Sequence, residues 1–267
     1  MTGRIQRSSF SAGAVATAFL KQAVGAEVVS HVVRIGSAEA PAGSVPVASD
    51  VAYLDEDPVR CLDPDASKQM VAAIDQAHKD GDTLGGVVEV LAHGLPPGLG
   101  SHVHWDRKLD ALLAQSLMSI QAVKGVEIGI GFEGARRPGS AVHDPIVPAP
   151  EKPRTGGLGR ASNRAGGLEG GVTTGEPLRL LGAMKPISTL RKRLPSVDLR
   201  DGSVGDAAVE RSDVCAVPAA AVVGEAMVAL VLADALLEKF GCDSLGEMRR
   251  NFEGYLAYLT DRGYGER

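Results

Sequence analysis

The chain is poor in cysteine, which limits the cross-links that could stabilise it. Only three cysteines occur in 267 residues, Cys61, Cys215 and Cys242. They show no C-x-x-C spacing, so the sequence suggests neither a disulfide framework nor a zinc site. We therefore expect reduced thiols, a cytoplasmic location and no bound metal.

The chain also lacks an excess of positive charge. Its 28 lysines and arginines are outnumbered by 33 aspartates and glutamates, which gives a formal net charge of -5. A nucleic-acid-binding surface usually carries a broad basic field, so this balance argues against such a partner. Any basic residues that bind a ligand must act as a local patch.

A long hydrophobic run of the kind that crosses a membrane is nearly, but not fully, present. Residues 214–233 are apolar except for Glu225. The run is rich in alanine, has Pro218 where a helix would begin, and lacks Trp and Tyr at its ends. We interpret it as a buried core helix that ends at Gly241. The N-terminal stretch has too weak an apolar run for a signal peptide, so we predict no membrane association.

Hydrophobic periodicity predicts alternating helices and strands without an internal repeat. Helical spacing occupies residues 12–24, 67–79, 106–122, 218–240 and 244–259. Strand-like segments occupy residues 26–35, 85–95, 126–132, 178–184 and 197–199. The pattern predicts a mixed α/β (α+β) protein, which we treat as a single domain over residues 1–267. Residues 1–11 form a ragged start, and residues 133–171 predict a long loop rich in Gly and Arg.

A glycine-dense segment followed by a strand and a basic turn is the most informative part of the chain. Its glycines Gly166, Gly167, Gly170 and Gly171 allow positive φ and a close approach to a flat or anionic ligand. Cationic side chains accompany them in the sequence: Arg160, Arg164, Lys185, Arg191, Lys192 and Arg193. Because such side chains bind phosphate and carboxylate, the sequence predicts a small anionic ligand.

Two further motifs match binding sites only in part. The G-x-G-x-x-G at residues 129–134 follows a predicted strand, but a dinucleotide fingerprint must open a helix, which residues 135–139 cannot continue. His102 and His104 are spaced to share one face of a strand, without a third type of metal ligand nearby. We predict neither a dinucleotide site nor a metal site from these residues.

Four strings, in this order and at compatible spacing, resemble chorismate synthase. They are SNRAGGLEGG at 162–171, TTGEP at 173–177, MKPISTL at 184–190 and ERSDVCAVPAA at 210–220. Residues 94–129 and 232–251 are similar to the same family, so the resemblance covers roughly residues 12–260. Motifs this long are far more specific than short patterns. The chain is identified as a member of that family.

The resemblance implies a fold, an activity and a cofactor. The family fold is a β-α-β sandwich, in which helices lie between sheets, assembled as a homotetramer. The family reaction converts 5-enolpyruvylshikimate 3-phosphate to chorismate and phosphate on the shikimate pathway of aromatic amino acid biosynthesis. It requires reduced flavin mononucleotide (FMN) although no net redox change occurs. Whether this protein reduces its own flavin with NADPH stays open.

The resemblance also implies roles for particular residues. It assigns flavin contacts to Gln121, Ala122, Gly170, Lys185, Pro186, Ile187, Ser188, Thr189 and Arg211. It places Asp213 near the reacting part of the flavin ring, as the catalytic residue. From the residues alone, the run from Arg211 to Asp213 is more typical of a surface ion pair in front of a helix that Ser212 or Asp213 caps, and the resemblance is what favours the flavin role.

The start of the sequence departs from the family pattern. Family members carry the strings G-E-S-H-G, G-Y-G-R-G and G-H-A-D, and none of them occurs here. Their two histidines act as acids in the family, and Ile130 stands where the family usually has Asp. We expect an N-terminally truncated fragment that is inactive alone. The alternative is a non-catalytic remnant that retains part of a flavin or phosphate site.

Overall fold

The chain forms both helices and strands, and the predicted mixed α/β class is confirmed. The computed structural model describes residues 2–207, 209 and 213–262. Its α-helices are α1 (Thr2–Val24), α2 (Val51–Glu56), α3 (Pro64–Asp80), α4 (Leu109–Met118), α5 (Gly131–Gly134), α6 (Val217–Phe240) and α7 (Leu245–Arg262). Its strands are β1 (Glu27–Ile35), β2 (Ala38–Glu39), β3 (Gly86–His93), β4 (Val123–Ile128), β5 (Ile146–Pro148), β6 (Leu158–Arg160), β7 (Leu168–Glu169), β8 (Val172–Thr173), β9 (Leu178–Met184), β10 (Pro195–Val197) and β11 (Val204–Asp206).

The main sheet has five antiparallel strands in the order β2-β1-β3-β9-β4. Side chains alternate between its faces, as strand geometry requires. Val90 faces the helices, because a Cβ on Gly224 of α6 would lie 3.0 Å from its side chain. Glu89 therefore points to the opposite face. The other sheets in the described part of the chain are two-stranded, so these residues supply one main sheet and one helical layer of the expected sandwich.

Helix α6 lies across β1 and β3, and α1 packs on α6. The two helices approach closely at Gly13, where a Cβ would lie 2.3 Å from the Cβ of Ala226. By length and composition α6 could cross a membrane, but over half of its most apolar window is buried within this chain. Its Glu225 accepts hydrogen bonds from Ser30 N at 2.6 Å and from Arg60 Nη2 at 2.7 Å. The prediction of a core helix is confirmed.

Several boundaries differ from the sequence prediction. Helix α1 begins at Thr2, so the expected ragged start at residues 1–11 is largely helical. Strand β4 covers Val123–Ile128 and not residues 126–132, because its pairing with β9 begins at Val123 opposite Met184. Helix α4 accordingly ends at Met118, and residues 119–122 form the turn between helix and strand. Non-local pairing with β9 decides both ends of β4.

The prediction of one long loop at residues 133–171 is wrong. Two hairpins form there, one from β5 and β6 and the other from β7 and β8. Asp144 fixes the intervening turn, since its carboxylate accepts hydrogen bonds from Ser162 Oγ, from Arg164 N at 2.9 Å and from Ala165 N at 2.8 Å. Burial raises the pKa of Asp144, but these hydrogen bonds outweigh burial and hold the pKa below its ordinary value.

Candidate functional site

Strand β9 ends at Met184, and residues 185–189 then lie between two neighbouring turns. Lys185 N donates to Ala122 O at 2.9 Å, which joins the segment to the turn before β4. Thr83 Oγ1 donates to Ile187 O at 2.6 Å, which joins it to the turn before β3. Only glycine fits at position 85, because a Cβ there would lie 2.3 Å from the backbone oxygen of Met184 at the end of β9.

Asp213 reaches the same end of the sheet through the residues that follow it. Leu84 N donates to Val214 O at 2.8 Å, and Leu84 forms a parallel bridge with Cys215. A cavity of about 50 Å³ lies at this junction, with a lining that includes His78, Asp82, Thr83, Thr189, Arg191 and Asp213. We call Thr83, Gln121, Ala122, residues 185–189 and Asp213 the Lys185 cluster. It unites most of the flavin-contacting positions that the resemblance implies.

The turn at Ala122 carries backbone strain. Its φ is +68°, in the left-handed region that favours glycine. An alanine in that conformation costs roughly 1–2 kcal/mol, and such strain tends to collect at functional sites. Here the unusual conformation accompanies the hydrogen bond between Ala122 O and Lys185 N. The chain therefore maintains a specific backbone arrangement at Ala122 despite its cost.

The Lys185 cluster contains the cation Lys185, and the cations Arg191 and Lys192 follow it closely in the sequence. No ion pair within 4.0 Å is found in the described part of the chain for Lys185, Arg191 or Lys192. Lys192 N donates to Gly81 O at 2.9 Å, so the backbone that carries these charges is fixed. By contrast, Arg160 is paired with Glu169 at 2.6 Å. Of the six cations that accompany the glycine-dense segment in the sequence, Arg160 and Arg193 are thus paired, whereas Lys185, Arg191, Lys192 and Arg164 have no ion pair among the described residues.

The glycines at 166 and 167 have the predicted positive φ but do not form a phosphate cradle. Gly166 N donates to Asn163 O at 3.2 Å and Gly167 N to Asn163 Oδ1 at 2.8 Å, so both donors are used within the chain. A Cβ on Gly166 would lie 2.4 Å from Gly129 N. We call Gly129, Asp144, Asn163, Gly166 and Gly167 the Gly166 cluster. Its glycines allow backbone segments to pack together, and the predicted anion-binding role of Gly166 and Gly167 is wrong.

Gly170 lies at the opposite end of the sheet from the Lys185 cluster. It occupies the turn between β7 and β8, next to Gly171, whose carbonyl accepts from Leu109 N at the start of α4. Gln121 follows the other end of α4. Strand β9, with seven residues at about 3.4 Å each, separates the two ends by roughly 20 Å. The structure does not bring Gly170 to the cluster, and Arg211 lies outside the described residues.

Sequence reasoning missed the contribution of the turn between α3 and β3. Asp82 and Thr83 lie in the string GDTLGG, which the periodicity treated as the approach to a strand. The spacing of Gly81, Gly85 and Gly86 around these two polar residues was the available signal. Gly81 has a φ of +69° and ends α3, as expected for a glycine after a helix. Thr83 then donates its hydrogen bond to Ile187, which follows it by more than a hundred positions in the sequence.

Fold and site together define a mixed α/β protein with cations that have no ion pair among the described residues at one end of an antiparallel sheet. The chain belongs to the chorismate synthase family, whose profile matches residues 1–237. The matched range includes residues 1–11, so the expectation that these residues lie outside the family pattern is wrong.

Individual relatives agree with the family assignment. Chorismate synthases from a Nocardioides species and from Streptomyces coelicolor are each 64% identical to this chain over 250 residues, which is 94% of this chain and 62% of each relative. A solved structure described as the crystal structure of chorismate synthase is 40% identical, with a TM-score of 0.80, over 96% of this chain and 70% of that one. The chain thus spans about three fifths of the length of the curated relatives it matches.

Reduced FMN fits the chemistry of the Lys185 cluster in part. Its phosphate suits the cations Lys185, Arg191 and Lys192, since charged donors bind phosphate oxygens strongly. The small cavity beside Asp213 has a volume of about 50 Å³, which suits a water molecule but not a flavin ring. Residues 185–189, Gln121 and Ala122 are the described residues that would hold the rest of the flavin outside this cavity.

Proposed function

We propose that this chain carries the flavin-facing part of a chorismate synthase. The reaction converts 5-enolpyruvylshikimate 3-phosphate to chorismate and phosphate with reduced FMN. One observation carries the proposal: positions far apart in the sequence, which the resemblance assigns separately to the flavin, meet at one end of the sheet. The hydrogen bond between Lys185 N and Ala122 O and the shared lining of Thr189 and Asp213 join them.

The residues of the cluster have distinct parts in this proposal. When bound, reduced FMN supplies electron density as phosphate leaves and a basic nitrogen for the C6 proton. Lys185, Arg191 and Lys192 hold the anionic groups, and their charges act more strongly as water is excluded. Asp213 sets the charge at the reacting edge of the ring. The backbone of residues 185–189 orients the ligand, because Ala122 and Thr83 hold it in place.

The chain by itself does not supply every group that the reaction needs. The two histidine strings that provide acids in the family are not in this sequence. General acid catalysis contributes typically about 10²–10⁴-fold per group. We therefore propose that the 267-residue chain binds reduced flavin but forms no chorismate alone. The alternative function is that of a non-catalytic protein that binds flavin or phosphate.

Assembly and supply of reducing equivalents complete the proposal. A homotetramer, which the resemblance implies, would let Gly170 of one copy approach the Lys185 cluster of another. Within one chain the two are roughly 20 Å apart, by the length of β9. We place the protein in the cytoplasm, in keeping with its free thiols, and propose NADPH as a source of electrons for the flavin.

An anaerobic titration of the purified chain with dithionite-reduced FMN tests the proposal. Lys185→Ala should weaken binding roughly tenfold, the loss expected for one charged hydrogen bond to phosphate. Lys68→Ala is the matched control, because Lys68 is exposed and pairs with Asp65 at the distant end of α3.

Three results of this titration bear on the proposal. Failure of the unaltered chain to bind reduced FMN would overturn the proposal, as would equal weakening by Lys185→Ala and Lys68→Ala. Addition of the enolpyruvyl substrate to the loaded chain should give no chorismate. Detectable turnover would contradict the proposed inactivity while leaving the flavin site in place.

A further inference from the structure

The turn between α3 and β3 holds residues 185–192 in place by three contacts. Gly81 O accepts from Lys192 N at 2.9 Å, and Thr83 Oγ1 donates to Ile187 O at 2.6 Å. Gly85 lets β3 pass Pro186, since a Cβ on Gly85 would lie 2.8 Å from Pro186 N. Only one of these contacts is made by a side chain, and that side chain is Thr83.

Thr83 is itself fixed from both sides. Its residue is 6% exposed, and its backbone N donates to Asp82 Oδ1 at 2.9 Å. The next residue, Leu84, donates to Val214 O at 2.8 Å, next to Asp213. Two consecutive residues therefore connect the segment that follows β9 with the segment that precedes α6.

The segment that Thr83 holds is irregular, and its two ends are joined to other turns by hydrogen bonds from Lys185 N to Ala122 O and from Lys192 N to Gly81 O. Residues 185–192 belong to neither a helix nor a strand, so their backbone is not fixed by a ladder of hydrogen bonds. A buried hydroxyl that donates to one carbonyl of such a segment restricts the whole turn, because its neighbours are joined covalently. Removal of the hydroxyl would leave Ile187 O without this donor.

We propose that Thr83 is a positioning residue for flavin binding. It sets the backbone conformation of residues 185–189 and their distance from Asp213, and it does not itself contact the flavin. The inference rests on the proposed function, because it assumes that residues 185–189 face the flavin. It adds a residue from a part of the chain that the family resemblance did not assign to the site.

The test compares Thr83→Val, Thr83→Ser and Thr173→Val. Valine keeps the size of threonine without the donor, and serine keeps the donor. Thr173 is the matched control: it is 2% exposed, its Oγ1 donates to Pro96 O at 2.7 Å, and it lies in β8 at the opposite end of the sheet. Each variant is titrated with reduced FMN, and its amide hydrogen exchange is measured across residues 185–192.

Thr83→Val should weaken FMN binding roughly tenfold and speed exchange at Lys185 and Lys192 by a similar factor. Thr83→Ser should restore both values to within about twofold. Thr173→Val should leave both unchanged even where it lowers the melting temperature.

Several outcomes would overturn the inference. Full FMN affinity in Thr83→Val, no recovery of affinity in Thr83→Ser, or equal weakening by Thr173→Val would each contradict it. If the unaltered chain binds no FMN, the proposed function fails. The exchange measurement then still decides whether Thr83 positions residues 185–192.

Discussion

The two ends of the main sheet contain similar residues but use them differently. At the Gly166 cluster, glycine N–H groups donate to Asn163 and the neighbouring Arg160 is paired with Glu169. At the Lys185 cluster, no ion pair is found among the described residues for Lys185. Glycine content and positive charge therefore do not by themselves identify a ligand site. The partners of each donor and each charge distinguish the two ends.

The contrast also concerns where backbone strain is found. At the Gly166 cluster every left-handed residue is a glycine, which adopts that conformation at little cost. At the Lys185 cluster an alanine, Ala122, has a φ of +68°. The first end is built for close backbone packing, and the second retains strain beside exposed charge. We expect substitutions at the first end to act on stability and substitutions at the second to act on ligand binding.

The largest expected effect is at Gly166. Gly166→Ala places a Cβ 2.4 Å from Gly129 N on a backbone with a φ of +65°, so conformation and contact are both unfavourable. We expect a loss of roughly 3 kcal/mol or more in the free energy of unfolding. Gly170→Ala is the matched control, since its φ is +64° but nothing lies within 4 Å of the added Cβ. It should lose only about 1 kcal/mol.

Urea denaturation of both variants measures this difference. Equal losses would show that conformation alone matters at these glycines and that the close packing of Gly166 against Gly129 contributes little. Reduced FMN affinity of folded Gly166→Ala should match that of the unaltered chain.

An intermediate effect is expected at Glu89, which connects the sheet to the Gly166 cluster. Glu89 is buried, accepts from His31 Nε2 at 2.8 Å, and pairs with Arg179. Arg179 N in turn donates to Gly166 O at 3.1 Å. Burial raises the pKa of Glu89, but the hydrogen bond from His31 and the charge of Arg179 outweigh burial and hold the pKa below its ordinary value of 4.5.

Glu89→Gln should therefore lower the free energy of unfolding by roughly 2 kcal/mol at neutral pH. Because the folded pKa lies below the unfolded one, the contribution of Glu89 is complete above about pH 4.5 and is lost as pH falls through the folded pKa. The difference between variant and unaltered chain should shrink over that range. Glu39→Gln is the control: its pair with Arg34 is exposed, and its loss should stay below about 1 kcal/mol at every pH. A difference that grows in acid would contradict the assignment.

Local patterns in the sequence predicted much of the fold. They did not predict how the Lys185 cluster and the Gly166 cluster differ at the two ends of the main sheet. Strand β9 has the predicted bounds, because its alternation is complete within seven residues. Strand β4 was misplaced, since its register is set by β9, which lies more than fifty residues away. The contact between Gly129 and Gly166 and the hydrogen bond from Thr83 to Ile187 are likewise non-local. Periodicity carries no information about such pairs.

The family resemblance indicated residues of the site, which periodicity could not do. It indicated each residue separately, without saying which residues lie together. It indicated residues 185–189, Gln121, Ala122 and Asp213, which the fold brings together. It also indicated Gly170, which the fold of one chain places at the other end. A motif indicates which residues contact a ligand, but it does not indicate which copy of the chain supplies each of them.

The smallest expected effect follows from that distinction. If a flavin is bound within one chain, Gly170→Ala should change reduced FMN affinity less than about twofold, because β9 separates Gly170 from the Lys185 cluster by roughly 20 Å. If a second copy brings its Gly170 to the flavin, the variant should bind more weakly, and affinity in the unaltered chain should rise with protein concentration as copies associate. Titrations at two widely separated protein concentrations, with sedimentation at each, distinguish the cases. A concentration-independent loss of affinity in a monomeric Gly170→Ala chain would contradict both, since it would require Gly170 and Lys185 of the same copy to share one ligand.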